Sequence, residues 1–123
     1  MGRPRLHVCV TCRAGRAIAE DAPRPGRLLH DALAALNDAT VDLAEVVCLA
    51  ACDHGCNAAI SAPGKWTYLL GHLDAGNAAD ILTYARAYAA SPTGTVLPSR
   101  RPESLRHAIL GRVPTLIMQE RMA

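Results

Sequence analysis

The chain has 123 residues, of which half are apolar and a fifth are charged, and its formal net charge is +2. This length and composition exclude a disordered chain and predict one globular domain. The charge lacks the strong basic bias of proteins that bind nucleic acid or anionic membranes, so we predict neither as a partner.

The N-terminal segment is positively charged but does not have the length of a targeting signal. The apolar run after Arg5 extends only from Leu6 to Val10 and is interrupted by His7 and a cysteine. Such a run is too short for a signal peptide or a membrane-spanning helix. We therefore predict a cytoplasmic protein, whose thiols stay reduced and serve as metal ligands or redox groups rather than as disulfides.

The first half of the chain predicts a strand, a helix and a second strand. Alternation and β-branched residues predict a strand over 6–10. A loop with glycine and proline follows, and leucines spaced at i, i+4 and i+7 predict a helix over 26–37. The apolar stretch 41–49 predicts the second strand. Strand, helix and strand in this order form a right-handed parallel crossover.

The second half predicts a hairpin and a helix. Two short strands, 57–61 and 66–70, flank a Pro-Gly turn, which indicates an antiparallel pair. Asp74 is a suitable N-cap for a helix that ends near Ala90. Pro102 is expected to begin a short last helix through Leu110, and the residues from Val113 onward form a tail.

These elements predict an α/β domain with the order β-α-β-β-β-α. We expect residues 1–92 to form the domain that carries the cysteines, and residues 93–123 to form a C-terminal extension packed on it.

All five cysteines lie in two short-spaced groups, Cys9-x-x-Cys12 and Cys48-x-x-x-Cys52-x-x-x-Cys56. Each group follows a predicted parallel strand, so neighbouring strands would bring both groups to one edge of the sheet, where open α/β sheets usually place ligands. Thiolates bind soft metals and iron–sulfur clusters, and short spacings let one loop present two ligands. The pattern predicts a metal or iron–sulfur site.

The second cysteine group resembles that of the thioredoxin-like [2Fe-2S] ferredoxins, since C-L-x-x-C-x-x-G is followed by a strand, a turn and an aromatic residue. Nearly the whole chain also resembles a bacterial family of predicted metal-binding proteins, some of them associated with cobalamin or metal metabolism. The residues that carry this resemblance are Cys9-x-x-Cys12, Cys48-Leu49-x-x-Cys52-x-x-Gly55-Cys56, Ala62-Pro63-Gly64-Lys65-Trp66-Thr67-Tyr68 and Arg101-Pro102-Glu103. The resemblance implies a thioredoxin-like fold, with a β-α-β-β-β-α core, a short C-terminal helix and a tail.

The resemblance also implies a [2Fe-2S] cluster held by Cys9, Cys12, Cys48 and Cys52, with Cys56 as a spare or substitute ligand. Two features depart from the ferredoxins: the first pair encloses only two residues instead of a longer loop, and Cys56 stands where they tend to have proline. The implied role is that of an electron carrier that docks on a redox partner protein, with a homodimer expected by analogy.

Such a carrier needs an exposed cluster edge and a docking surface rather than a substrate pocket. Arg13, Arg16 and Lys65 are candidates for a basic rim that steers an acidic partner. Backbone N–H groups of the loop from Cys48 to Cys56 are expected to hydrogen-bond the ligand sulfurs and tune the reduction potential.

Three other interpretations of the cysteines remain open. Zinc or cobalt could be held by four thiolates, or by three thiolates and His54, in a protein of metal or cobalamin metabolism. Cys9 and Cys12 could form a thioredoxin-type dithiol, or all five cysteines could be buried core residues. No nucleophile–base set and no glycine-rich phosphate loop is recognisable, so we predict that the protein is not an enzyme.

Overall fold

In the computed structural model, the described residues 3–13, 21–36, 38–51 and 55–115 form a mixed sheet covered by two α-helices. The sheet has five strands in the order β2-β1-β3-β4-β5. β1 pairs with β2 in parallel, and the pairs β1–β3, β3–β4 and β4–β5 are antiparallel. The elements are β1 (Arg5–Cys9), α1 (Pro25–Leu36), β2 (Asp42–Val46), β3 (Cys56–Ser61), β4 (Thr67–Leu73), α2 (Ala78–Ala90) and β5 (Ile109–Val113).

The two helices contact each other and share one core with the sheet. Leu6 and Val8 of β1 are completely buried there, together with Leu29 of α1 and Ile81 of α2. Because strand side chains alternate between the two faces, His7 between them points away from this core. The predicted β-α-β-β-β-α order is confirmed, and local sequence patterns were sufficient to identify these elements.

The predicted N-cap at Asp74 is also confirmed. Its carboxylate accepts a hydrogen bond from the Gly76 N–H at 2.7 Å, and the Asn77 side chain accepts one from the Asp74 N–H at 2.9 Å. The capped segment is a 3₁₀ turn, Ala75–Asn77, which leads directly into α2. The reciprocal bonds satisfy amide groups that a helix start would otherwise leave without partners.

The predicted last helix over 102–110 is wrong. Only a 3₁₀ turn, Glu103–Leu105, forms there, and Ile109–Val113 is a strand. β5 pairs with β4 and brings Thr67 opposite Val113. Without β5, β4 would be an edge strand with unpaired N–H and C=O groups. Pairing with these groups outweighs the weak helical pattern of residues 102–110. Residues 116–123 of the predicted tail lie outside the described residues.

The pKa of His7, which lies on the other face of the sheet, can be tested by titration. Its Nε2 atom lies 3.2 Å from the Ser61 hydroxyl oxygen. Burial, and secondly the positive charge of Arg5, lower the pKa of His7 from 6.5. A lowered pKa means that folding favours the neutral ring, so this contribution to stability is present above 6.5 and is lost as the pH falls through the folded-state pKa.

We therefore expect an NMR titration of the folded protein to give His7 a pKa below 6.5. The substitution His7→Gln should flatten the decline in the free energy of unfolding on the acid side of that value. A folded-state pKa at or above 6.5 would contradict this account of the site.

Candidate metal centre

Three strand ends meet at the edge of the sheet that carries the cysteines. β1 ends at Cys9, and its parallel neighbour β2 ends at Val46, shortly before Cys48. The antiparallel strand β3 begins at Cys56, on the other side of β1. The two strands are neighbours as predicted, and both cysteine groups lie at one edge. Cys52 and His54 fall outside the described residues.

The Cys9–Cys12 loop is hydrogen-bonded to the segment that leads into Cys48. The Val10 N–H donates to the Val46 carbonyl at 3.0 Å. The Cys9 thiol donates to the Val47 carbonyl at 3.4 Å, and the Thr11 hydroxyl donates to the same oxygen. Polar bonds thus hold the two cysteine segments side by side, in addition to the pairing of the strands.

Among the four described cysteines, Cys48 is the exposed one, and its sulfur accepts a backbone hydrogen bond. The Ala50 N–H donates to Cys48 Sγ at 3.2 Å. Ala50 has a φ of 59°, a left-handed conformation that costs a non-glycine residue about 1–2 kcal/mol. The left-handed conformation of Ala50 points its backbone N–H at the Cys48 sulfur. A bond of this kind was predicted for the loop from Cys48 to Cys56.

The thiol of Cys12 lies on the other side of the edge, against the start of β3. It donates to the Gly55 carbonyl at 3.0 Å. The side-chain nitrogen of Asn57 donates to the same carbonyl at 3.1 Å, to the Ala51 carbonyl at 3.2 Å and to Cys12 Sγ at 3.8 Å. In the sequence, Asn57 is predicted only as the first residue of a strand, although a polar residue directly after the cysteine group is a usable signal.

The first turn of α1 packs directly on the Cys9–Cys12 loop. The Gly26 N–H donates to the Cys12 carbonyl at 3.1 Å, and the Arg24 guanidinium donates to the Thr11 carbonyl at 2.9 Å. A Cβ atom on Gly26 would lie 2.0 Å from the Cys9 carbonyl oxygen. The leucine spacing predicted only that Gly26 begins the helix, and it carried no sign of this close approach.

The exposure of the thiols differs across the edge. Cys9, Cys12 and Cys56 are buried members of the core cluster, whereas Cys48 is exposed. Within the described ranges, no three His, Cys, Asp or Glu side chains are close enough to one another to hold a metal ion. The donor set at this edge, thiols with amide N–H groups beside them, fits a soft metal or an iron–sulfur cluster in its chemistry.

The predicted basic rim is wrong for Lys65. This residue lies in the β3–β4 turn, at the opposite edge of the sheet from the cysteines. Its ammonium donates to the Tyr88 and Ala89 carbonyls at 3.2 and 2.6 Å, which caps the end of α2. Cations favour helix C-termini because the last carbonyls are partly negative and lack helical partners. Arg13 is exposed directly after Cys12, and Arg16 lies outside the described residues.

The fold is that of a thioredoxin-like protein. A solved thioredoxin-like [2Fe-2S] ferredoxin from Aquifex aeolicus superposes with a TM-score of 0.57, covering 94% of this chain and 96% of its own, at 14% sequence identity. At this identity the likeness shows the fold alone, and it confirms the predicted structural relation to these ferredoxins.

The chain belongs to the family DUF1636, described as "Protein of unknown function", whose sequence profile matches residues 6–115. No curated protein matches the sequence. Within the described residues, no helix combines the length and apolarity needed to cross a membrane.

Gly26 provides a test of the packing beneath the cysteine loop. The substitution Gly26→Ala would force the α1 start away from Cys9, and overpacking of this kind typically lowers the free energy of unfolding by about 1–3 kcal/mol. Gly111→Ala is the matched control, because no atom lies within 4 Å of the added methyl group. Chemical denaturation of both variants measures the difference. Equal stability of the two variants would show that the helix start does not support the loop.

Proposed function

We propose that this protein is a small [2Fe-2S] electron carrier, with the cluster held by Cys9, Cys12, Cys48 and Cys52. The observation that carries the proposal is the meeting of three strand ends, which brings two thiol-bearing segments into hydrogen-bonding contact at one edge of the sheet. An iron–sulfur cluster needs several reduced thiols close together as ligands. The strand order brings thiols to one edge of the sheet instead of dispersing them through the core.

The structural likeness to a thioredoxin-like [2Fe-2S] ferredoxin supports this choice among thiol-bound metals. The rival dithiol function has less structural support, because a C-x-x-C redox motif normally opens a helix. Here the described residues Cys12 and Arg13 are not helical, and the helix that packs on the loop through Gly26 is α1, Pro25–Leu36.

A bound cluster would supply one-electron chemistry, and the residues of this edge would set its surroundings. Cys9 and Cys12 are buried, so their side of the centre would be shielded from water. Cys48 is exposed and would form the edge of the centre nearest to solvent. The Ala50 N–H at the Cys48 sulfur would stabilise negative charge on that sulfur and so raise the reduction potential.

The exposed rim beside Cys48 is the proposed docking surface for a redox partner protein. Val47 is 73% exposed and directly precedes Cys48. Arg13 is exposed on the segment that follows Cys12. An exposed apolar side chain and an exposed cationic side chain on the two cysteine-bearing segments suit a brief complex with an acidic partner, in which charge steers the encounter. On this proposal the protein transfers electrons and does not catalyse a reaction on a substrate.

The test is the metal and sulfide content of protein purified without oxygen, together with its visible spectrum and EPR after dithionite reduction. The proposal predicts about two irons and two acid-labile sulfides per chain and a paramagnetic reduced state. Stoichiometric zinc or cobalt without sulfide would contradict electron transfer and favour a role in metal handling. A metal-free protein would leave the dithiol as the better account.

Cysteine variants test the ligand assignment. Cys48→Ser and Cys52→Ser should each lose most of the cluster, since a hydroxyl replaces a thiolate ligand. Cys56→Ala is the matched control: it keeps a small apolar side chain at a completely buried position and should retain the iron and sulfide of the wild type. Loss of the cluster in Cys56→Ala, with retention in Cys52→Ser, would reverse the roles of these two cysteines.

A further inference from the structure

Asn57 is the one buried amide or charged side chain among the described residues. It occupies the second position of β3 and has no exposed surface. Burying an amide costs free energy unless its polar atoms are hydrogen-bonded. Its Oδ1 atom is buried without a hydrogen-bond partner within the described part of the chain. An apolar residue at this position would avoid the cost of burying an unbonded oxygen. Asn57 therefore contributes to the structure through the hydrogen bonds of its side-chain nitrogen.

The amide nitrogen of Asn57 joins the two ends of the segment that contains Cys52. It donates to the Ala51 carbonyl at 3.2 Å and to the Gly55 carbonyl at 3.1 Å, and these residues flank 52–54 in the sequence. Both acceptors are carbonyl oxygens, so only the NH₂ group of the amide, and not its oxygen, can make these bonds. The orientation of the side chain is therefore fixed by its partners.

The same nitrogen also connects this segment to the first cysteine group. It lies 3.8 Å from Cys12 Sγ, and because an amide nitrogen has two hydrogens, this longer contact shares a hydrogen with one of the two carbonyl bonds. Cys12 itself donates to the Gly55 carbonyl. A metal-bound sulfur has no proton to donate, so Gly55 would then keep its bond from Asn57 alone. The N–H group would remain beside a sulfur atom that carries negative charge.

We propose that Asn57 is the positioning residue of the thiolate centre. It holds the Ala51 and Gly55 ends of the Cys52 segment together against Cys12, and it directs an N–H group toward the Cys12 sulfur. This inference rests on the proposed function, because it assigns Asn57 a role toward the same centre. Second-sphere groups of this kind orient ligands and tune the metal, although they do not bind it.

The test compares Asn57→Asp, Asn57→Ser and the control Ile60→Ala. Asn57→Asp keeps the size of the side chain and replaces the donor by an acceptor, whereas Asn57→Ser is small enough to fit if the carboxylate prevents folding. Ile60 is completely buried in the same strand, so Ile60→Ala destabilises the sheet without changing a contact at the cysteines.

The first readout is the affinity of the reduced, metal-free protein for Co²⁺, followed by the thiolate-to-cobalt charge-transfer absorption. Both Asn57 variants should bind Co²⁺ roughly 10- to 100-fold more weakly than the wild type, and Ile60→Ala should bind like the wild type. The second readout is the reduction potential of protein that carries the cluster, which should become more negative in both Asn57 variants.

Each result separates the two proposals. Wild-type protein that binds Co²⁺ but never contains iron and sulfide would refute the electron carrier and leave Asn57 to be judged on cobalt affinity. Asn57 variants with wild-type cobalt affinity, or an equal loss in Ile60→Ala, would overturn the positioning role while the electron carrier stands. Wild-type protein that does not bind Co²⁺ would also overturn the positioning role.

Discussion

The pairing of β1 with a parallel strand on one side and an antiparallel strand on the other determines where the cysteines lie. β2 delivers Cys48 beyond its C-terminal end, and β3 delivers Cys56 at its first residue. Because β1 ends at this edge with Cys9, residues far apart in the sequence become neighbours. The core of Leu6, Val8 and the two helices keeps this register, since a shift by one residue would turn the apolar side chains outward.

Several features that cost stability lie at the same edge. Ala50 adopts a left-handed conformation, Asn57 buries an amide oxygen without a partner among the described residues, and Gly26 accepts no larger side chain. Folded proteins depart from local rules mainly where a site requires it. At the opposite edge, the bonds of Lys65 to the Tyr88 and Ala89 carbonyls are explained by capping of the end of α2.

Sequence patterns predicted the part of the fold that depends on local signals. The leucine spacing of α1, the Pro-Gly turn between β3 and β4 and the cap at Asp74 each act through a local mechanism that a single sequence displays. β5 could not be predicted in this way, because its conformation comes from pairing with β4 rather than from its own residues.

The sequence also predicted part of the candidate site, namely the position of the cysteines but not the contacts around them. The cysteine spacings and the crossover rule place both thiol groups at one edge, but the contacts of Gly26 and Asn57 depend on distances between segments. A glycine at a helix start and an asparagine at a strand start each have a common local explanation. Only the tertiary structure shows that Gly26 touches Cys9 and that Asn57 reaches Cys12. The wrong assignment of Lys65 has another cause: the predicted hairpin itself places its turn at the end of β3 opposite Cys56.

The central claim is that the sheet edge carrying the cysteines holds an iron–sulfur cluster. A crystal structure of anaerobically purified protein, with diffraction data collected on both sides of the iron absorption edge, tests it most directly. The account predicts anomalous iron density bonded to the sulfurs of Cys9, Cys12, Cys48 and Cys52. Density that appears only at the zinc or cobalt edge, or iron located elsewhere on the molecule, would contradict the account.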